Sequence, residues 1–305
     1  MIEYLWGIKL SIFFGRVLPH NNMKLQEKNI SYFINLDKFP IHEPQTSKYQ
    51  IIVKEARKAL DYDGCYVLKS IVNPDAIKDM QDEASNIESL AHYTSNKVNV
   101  YFSKDDPSYP KDHPRRFFME RSNGFVSGDK FPENSKIKDL YYSEILKNFI
   151  ADCLEVKMYH YADPLASLTI NVNKPGDRFS WHYDTNEFTV TMLVQDCDKG
   201  GIFQYVPNIR NKDDECYDEV QKLLHGDTSK IKEIKLNEGD LQLFKGRYAL
   251  HRATRAEGNK TRNLVVFTYT EKENVIGSSY RTEELYGKTL DVHKETKVRS
   301  DNLTD

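Results

Sequence analysis

Cysteine is scarce in this sequence, and the few residues present are scattered. There are 4 in 305 residues, at Cys65, Cys153, Cys197 and Cys216, and no two form a Cys-x-x-Cys pair. That spacing excludes a zinc knuckle and gives no sign of a disulfide framework, so a reducing, cytoplasmic setting is expected. An excess of one charge is missing too: 43 Lys and Arg face 46 Asp and Glu, for a net charge of -3. No electrostatic footprint for nucleic acid or an anionic membrane follows from such a balance. Internal repeats and low-complexity linkers are absent. The most apolar run lies in residues 1–20, but Glu3 stands where a positive n-region belongs, Lys9 interrupts it, and no small-x-small cleavage site follows. It is also shorter than the roughly 20 apolar residues that a membrane span needs. Residues 1–22 are therefore expected to be a dispensable extension ahead of the ordinary start at Met23.

What remains is a chain able to bury a core, with 39% hydrophobic and 12% aromatic residues. A single domain over residues 23–305 is expected. Apolar positions at helical spacing mark a helix over residues 48–60, and Gly64 and Pro74 bound a strand. Asn73-Pro74 then opens a helix expected to reach about Tyr93, with Asn73 as N-cap. Residues 103–134 hold Pro107, Pro110, Pro114 and Pro132 and read as a polar lid or binding loop. Another helix is expected at about residues 135–155, completing a helical support over residues 45–155.

From Lys157 the pattern turns to strands: residues 166–172, 187–194, 201–206, 231–236, 240–244 and 263–270, interrupted by one helix at about 215–224. Many short strands with Gly-marked turns point to a mixed α/β chain whose core, residues 157–275, is a double-stranded β-helix (jelly roll). Residues 276–305 read as a tail.

The strongest chemical feature is Phe179-Ser-Trp-His182-Tyr-Asp184. Residues two apart on an extended chain face one side, so an imidazole and a carboxylate can point together into a pocket. Such a pair suits Fe(II) if a third ligand arrives from another strand, leaving three positions open. His-x-Asp pairs also occur as solvated or structural residues, so the pair alone is weak. Gly239-Asp-Leu-Gln-Leu-Phe-Lys-Gly246 then forms a turn, a strand and a turn leading to His251, whose strand in a jelly roll can lie beside that of His182. Arg262 stands eleven residues further on, at the head of the apolar run Leu264–Phe267. A guanidinium pointing into the sheet interior needs an anionic partner, and a carboxylate gripped by two parallel hydrogen bonds is the natural one. The distal carboxylate of 2-oxoglutarate would fit. Asn171 could contact that cosubstrate or a ligand, or be a strand asparagine satisfied by backbone. Trp181 either walls the pocket or packs in the core.

His182-x-Asp184, a Gly-Asp strand before a distal His251, and Gly258-x-x-x-Arg262 together resemble the Fe(II)/2-oxoglutarate-dependent oxygenases. Four segments are similar, more narrowly, to the HalD/BesD-like amino-acid halogenases and their hydroxylating relatives. They are Asp163-Pro-Leu-Ala-Ser-Leu168, Trp181-His-Tyr-Asp-Thr-Asn-Glu-Phe-Thr-Val190, Gly200-Gly-Ile-Phe-Gln-Tyr-Val-Pro207 and the stretch from Gly239 to Arg252. The resemblance covers roughly residues 50–280. It implies iron held by His182, Asp184 and His251, with 2-oxoglutarate and O2 as cosubstrates and Arg262 on the 2-oxoglutarate. Halogenase-like members carry Gly or Ala in place of the carboxylate, which frees a site for chloride. This chain keeps Asp184, so hydroxylation is the expected reaction. The resemblance further implies a small polar substrate such as a free amino acid, for which Arg115 and Arg116 could supply a cation and Glu120 a partner for an ammonium group. A halogenase, an oxygenase of peptide or protein side chains, and a metal-holding sensor without turnover are the competing readings.

Overall fold

A computed structural model describes residues 11–13, 16–18, 30–94, 96–294 and 303–304. Of the expected extension at residues 1–22, only the backbone of two short antiparallel strands, Ser11–Phe13 and Arg16–Leu18, is described. The rest lies outside the described residues.

Two antiparallel sheets form the core. The larger is built from β1 (Cys65–Leu68), β2 (His92–Tyr93), β3 (Gly124–Val126), β4 (Leu168–Asn173), β6 (Thr189–Gln195), β9 (Leu241–Phe244) and β11 (Arg262–Phe267). Its spatial order is β1-β9-β6-β11-β4-β3-β2. The smaller consists of β5 (Phe179–His182), β7 (Phe203–Val206), β8 (Lys232–Ile234) and β10 (Leu250–Ala253), in the order β5-β10-β7-β8. This is the jelly-roll arrangement expected, with strands neighbouring in space that are distant in sequence.

Alternation along the large sheet separates its two faces. Val190, Met192 and Val194 of β6, Val265 and Phe267 of β11, and Ile170 and Val172 of β4 join the main hydrophobic cluster. Helices α1 (Ser47–Asp63), α2 (Pro74–Ile87), α3 (Lys136–Tyr141) and α4 (Glu144–Leu154) contribute Tyr49, Ala56, Met80, Leu140 and Phe149 to the same cluster. The intervening positions, Thr189 and Thr191, Leu264 and Val266, Thr169 and Asn171, face the cavity between the sheets instead. At roughly 1.5–3 kcal/mol for each large apolar side chain removed from water, the helical layer anchors the sheet that carries the site.

Several local features depart from the expected boundaries for identifiable reasons. The helix expected over residues 135–155 is two, because Ser143 restarts the second: its side chain accepts from Leu146 N at 3.3 Å. Asn73 stands at the N-cap of α2, yet its amide donates to Ser31 O and Tyr32 O at 3.0 and 3.1 Å and ties down the preceding segment instead. That helix ends at Ile87 rather than near Tyr93, since β2 takes residues 92–93 into the sheet edge. The expected lid at 103–134 is only partly irregular: Met119–Arg121 pairs with Asn96–Val98, and β3 lies inside the large sheet between β4 and β2. The region read as a tail contains α6 (Ser279–Tyr286), which closes over the cavity; α5 (Tyr217–Leu224) is the helix expected at 215–224. Among the described residues, no helix is long and apolar enough to cross a membrane.

Candidate active site

The register of the small sheet builds the centre. Strands β5 and β10 pair so that His182 lies directly opposite His251, with both rings on the same face. The ring centroids are 4.1 Å apart. Asp184 follows two residues after His182, where the chain leaves β5. Its Oδ1 lies 3.7 Å from His182 Nε2 and 3.5 Å from His251 Nε2. One ligand atom from each of the three residues falls within 4.8 Å of the others, a spacing suited to one iron ion.

The outward-facing nitrogens are occupied in the way metal sites require. His182 Nδ1 meets Ser180 O at 2.8 Å, and His251 Nδ1 meets Ala249 O at 3.0 Å. A carbonyl only accepts, so each Nδ1 carries a proton, which leaves Nε2 as the atom that each ring can offer to a metal. Burial, reinforced by the neighbouring His251, pushes the His182 pKa well below its ordinary value. Burial also pushes the Asp184 carboxyl up, but His251, His182 and the Thr189 hydroxyl outweigh it and hold the group well below the usual carboxylate range. Neutral imidazole and ionised carboxylate are the protonation states that bind metal.

Arg262 opens β11 on the cavity-facing side, in register with Leu264 and Val266. It is 2% exposed. Its Nε and Nη1 have no hydrogen-bond partner among the described residues, and its nearest carboxylate oxygen, Asp196 Oδ1, is 3.9 Å away. Burial lowers its pKa. A buried guanidinium with unused donors is costly unless an anion arrives, so the residues present fit a dicarboxylate cosubstrate. Gly201 makes room for the Arg262 side chain: a Cβ there would come within 2.6 Å of Arg262 Cδ. Asn171 lines the same cavity, with its Oδ1 accepting from Asn123 at 3.0 Å and Asn173 at 3.1 Å. Trp181 packs in a second hydrophobic cluster with Tyr183 and Leu250, beneath the Arg252 guanidinium.

The three expected substrate residues are not brought to this cavity. Arg116 grips Asp105 with two hydrogen bonds of 2.8 and 3.1 Å. Arg115 lies over the Tyr109 ring and reaches its hydroxyl at 3.3 Å. Glu120 is exposed and pairs with Arg178 at 3.0 Å. One position further along, period-two alternation turns Arg121 inward, among aromatic rings beside the cavity rather than into its lining, and composition alone did not single it out. Arg121 is 1% exposed, and its Nη1 and Nη2 have no partner among the described residues. Its guanidinium lies 5.6–5.8 Å from the ring centres of Phe102, Phe125 and Phe179, and burial brings its pKa down to about 10. Phe179 in turn stacks on His182 at 3.8 Å. Arg281 of α6 lines the cavity, packs over Phe102 and donates to Tyr183 O at 2.8 Å. Nothing in the local pattern of residues 276–305 marked it. The segment that bears it is held by Asp163, whose buried Oδ2 accepts from Gly277 N and contacts His293 Nε2, each at 3.0 Å.

The halogenase D family model matches residues 48–286, more than three quarters of the chain. The chain belongs to that family. It is thereby an enzyme of the non-haem Fe(II)/2-oxoglutarate-dependent oxygenase class, as the resemblance implied. No curated protein matches the sequence. Among solved structures, the fold is similar to HygX from Streptomyces hygroscopicus with nickel, 2-oxoglutarate and hygromycin B bound. That likeness has a TM-score of 0.50 at 13% identity, over 74% of this chain and 89% of that one. AviO1 from Streptomyces viridochromogenes aligns with a TM-score of 0.50 at 16% identity, over 72% of this chain and 95% of that one. The epimerase SnoN from nogalamycin biosynthesis, in complex with Fe3+, alpha ketoglutarate and nogalamycin RO, gives 0.50 at 10% identity, over 73% and 84%. At these identities the likeness is one of fold.

Proposed function

We propose that this halogenase D family member is a hydroxylase, acting on an unactivated C–H bond of a small polar metabolite, a free amino acid or close derivative. Asp184 is the observation that carries this reading. Its Oδ1 faces both imidazole Nε2 atoms, so a carboxylate stands where a halogenating relative would leave a vacancy for halide. His182, Asp184 and His251 would hold the iron, and Arg262 the distal carboxylate of 2-oxoglutarate. With O2, that pair supplies an oxidant able to attack an aliphatic C–H bond, which no side chain can do.

The protein's own contribution is binding, orientation and exclusion of water. Arg121 and Arg281 converge beside Phe102, next to the Phe179 ring that covers His182. Arg281, which lines the cavity, and Arg121 beside the same ring, its two terminal nitrogens without a partner among the described residues, would suit the carboxylate of an amino acid. Leu285 and Tyr286 of α6 wall the cavity from above and would keep bulk water from the substrate. The sparse and scattered cysteines of the sequence support a reducing, cytoplasmic setting as part of this reading.

The test is anaerobic loading with Fe(II) and 2-oxoglutarate, then O2 and a mass-spectrometric screen of free amino acids in chloride-containing buffer. Succinate together with a product heavier by one oxygen is the expected result. A chlorinated product from the unaltered protein would overturn the hydroxylase reading. Asp184→Gly is expected to lower hydroxylation at least ~100-fold, because ligand loss should exceed the 10–100-fold cost of losing a mere outer-shell partner. Full hydroxylation by that variant would show that Asp184 is not a required ligand.

A further inference from the structure

The Asp184 carboxylate is held asymmetrically. Oδ1 faces the two histidines, whereas Oδ2 accepts a short hydrogen bond from the Thr189 hydroxyl. The backbone closes the other side: Asp184 N donates to Gly246 O at 3.2 Å. A Cβ on Gly246 would sit 1.9 Å from Oδ2 and 2.7 Å from Cγ of Asp184, so only glycine leaves space for this carboxylate orientation. The two supports come from one strand pair. Thr189 opens β6 opposite Phe244, the last residue of β9, and Gly246 follows two residues later.

We propose that Thr189 and Gly246 are positioning residues that make Asp184 a one-oxygen ligand. The inference rests on the reading of Asp184 as an iron ligand, and adds which oxygen binds and what enforces it. Two imidazoles and one carboxylate oxygen leave three of six positions on an octahedral ion, enough for a chelating 2-oxo acid and O2. A carboxylate free to swing its second oxygen onto the metal would take one of those three. Thr189 prevents this by hydrogen-bonding Oδ2, and Gly246 by admitting Oδ2 to a slot that any side chain would fill. Thr189 therefore protects cosubstrate binding more than it strengthens the metal site.

Thr189→Val removes the donor at constant shape, and Thr189→Ser restores it. Each variant would be loaded anaerobically with Fe(II) against a competing chelator, then titrated with 2-oxoglutarate through the charge-transfer absorption of the chelate. Co(II) spectra of the same proteins report coordination number without turnover. In Thr189→Val, Fe(II) affinity is expected to stay within ~3-fold while 2-oxoglutarate affinity falls ~10-fold or more, the scale of one hydrogen bond to a charged group. Thr189→Ser should remain near the parent protein in both. Gly246→Ala should displace the whole carboxylate and lower Fe(II) affinity more than ~10-fold. Parent-like 2-oxoglutarate affinity and Co(II) spectrum in Thr189→Val would overturn the role of Thr189. Parent-like Fe(II) affinity in a folded Gly246→Ala would overturn that of Gly246. Asp184→Ala separates the two levels. If it binds Fe(II) like the parent, the ligand assignment itself is wrong; if it loses Fe(II) while Thr189→Val behaves as the parent, only the positioning role falls.

Discussion

Alanine at His251 is expected to abolish iron-dependent turnover and to lower Fe(II) affinity by more than ~100-fold, beyond the cost of losing an outer-shell partner. The reason is geometric. His251 reaches the centre from β10, and its Nε2 is the nearer of the two imidazole nitrogens to Asp184 Oδ1, at 3.5 against 3.7 Å. No other His, Cys, Asp or Glu of the described residues joins the cluster, so none can take its place. Its Nδ1 bond to Ala249 O aims the ring in advance of metal binding, and the binding energy is not spent on ordering it. Titration of the His251→Ala protein with Fe(II) under anaerobic conditions, beside a thermal melt, checks the expectation. Parent-like iron affinity in a folded variant would refute the triad.

Arg262→Met carries the second large effect and a double signature. Losing one or two charge-assisted hydrogen bonds to the 2-oxoglutarate carboxylate costs about 1.5–3 kcal/mol or more. At about 1.4 kcal/mol per tenfold, the dissociation constant for 2-oxoglutarate should rise roughly 10- to 150-fold. The ligand-free protein should not lose stability in step. In the parent, Nε and Nη1 of Arg262 are buried without hydrogen-bond partners among the described residues, and replacing such a charge with an apolar side chain of similar length is often neutral or stabilising. Weaker 2-oxoglutarate binding with an unchanged or raised melting temperature is therefore the expected pair of results. An unchanged apparent Michaelis constant for 2-oxoglutarate would sink the assignment. A collapse of stability without cosubstrate would show that Arg262 serves the fold through a partner such as Asp196.

Local chemistry makes part of this site legible in the sequence. His182-x-Asp184 on an extended segment places two ligands on one side, because a strand alternates with period two. The same alternation explains why Arg262 shares a face with Leu264 and Val266, and why Arg121 turns inward where Glu120 turns out. Arg115, Arg116 and Glu120 stand out in the sequence because charge in a proline-rich segment resembles a binding loop. Each instead finds another partner: Arg115 and Arg116 meet Tyr109 and Asp105 within the segment, and Glu120 meets the distant Arg178. Arg121 is hidden beside them because a lone arginine carries no sign of whether its environment is water or three phenylalanine rings.

By itself the sequence determined the ligand types, the strand-rich second half and the kind of anion that Arg262 could meet, since these follow from side-chain chemistry and short-range periodicity. Tertiary structure alone decided the rest. The pairing of β5 with β10 set His182 opposite His251, and the start of β6 laid a threonine against Asp184 Oδ2. Asp163 and His293 fastened a supposed tail over the cavity. These contacts join residues 5 to 130 positions apart. Which distant segments meet is fixed by the packing of the whole core, and no local pattern carries that information.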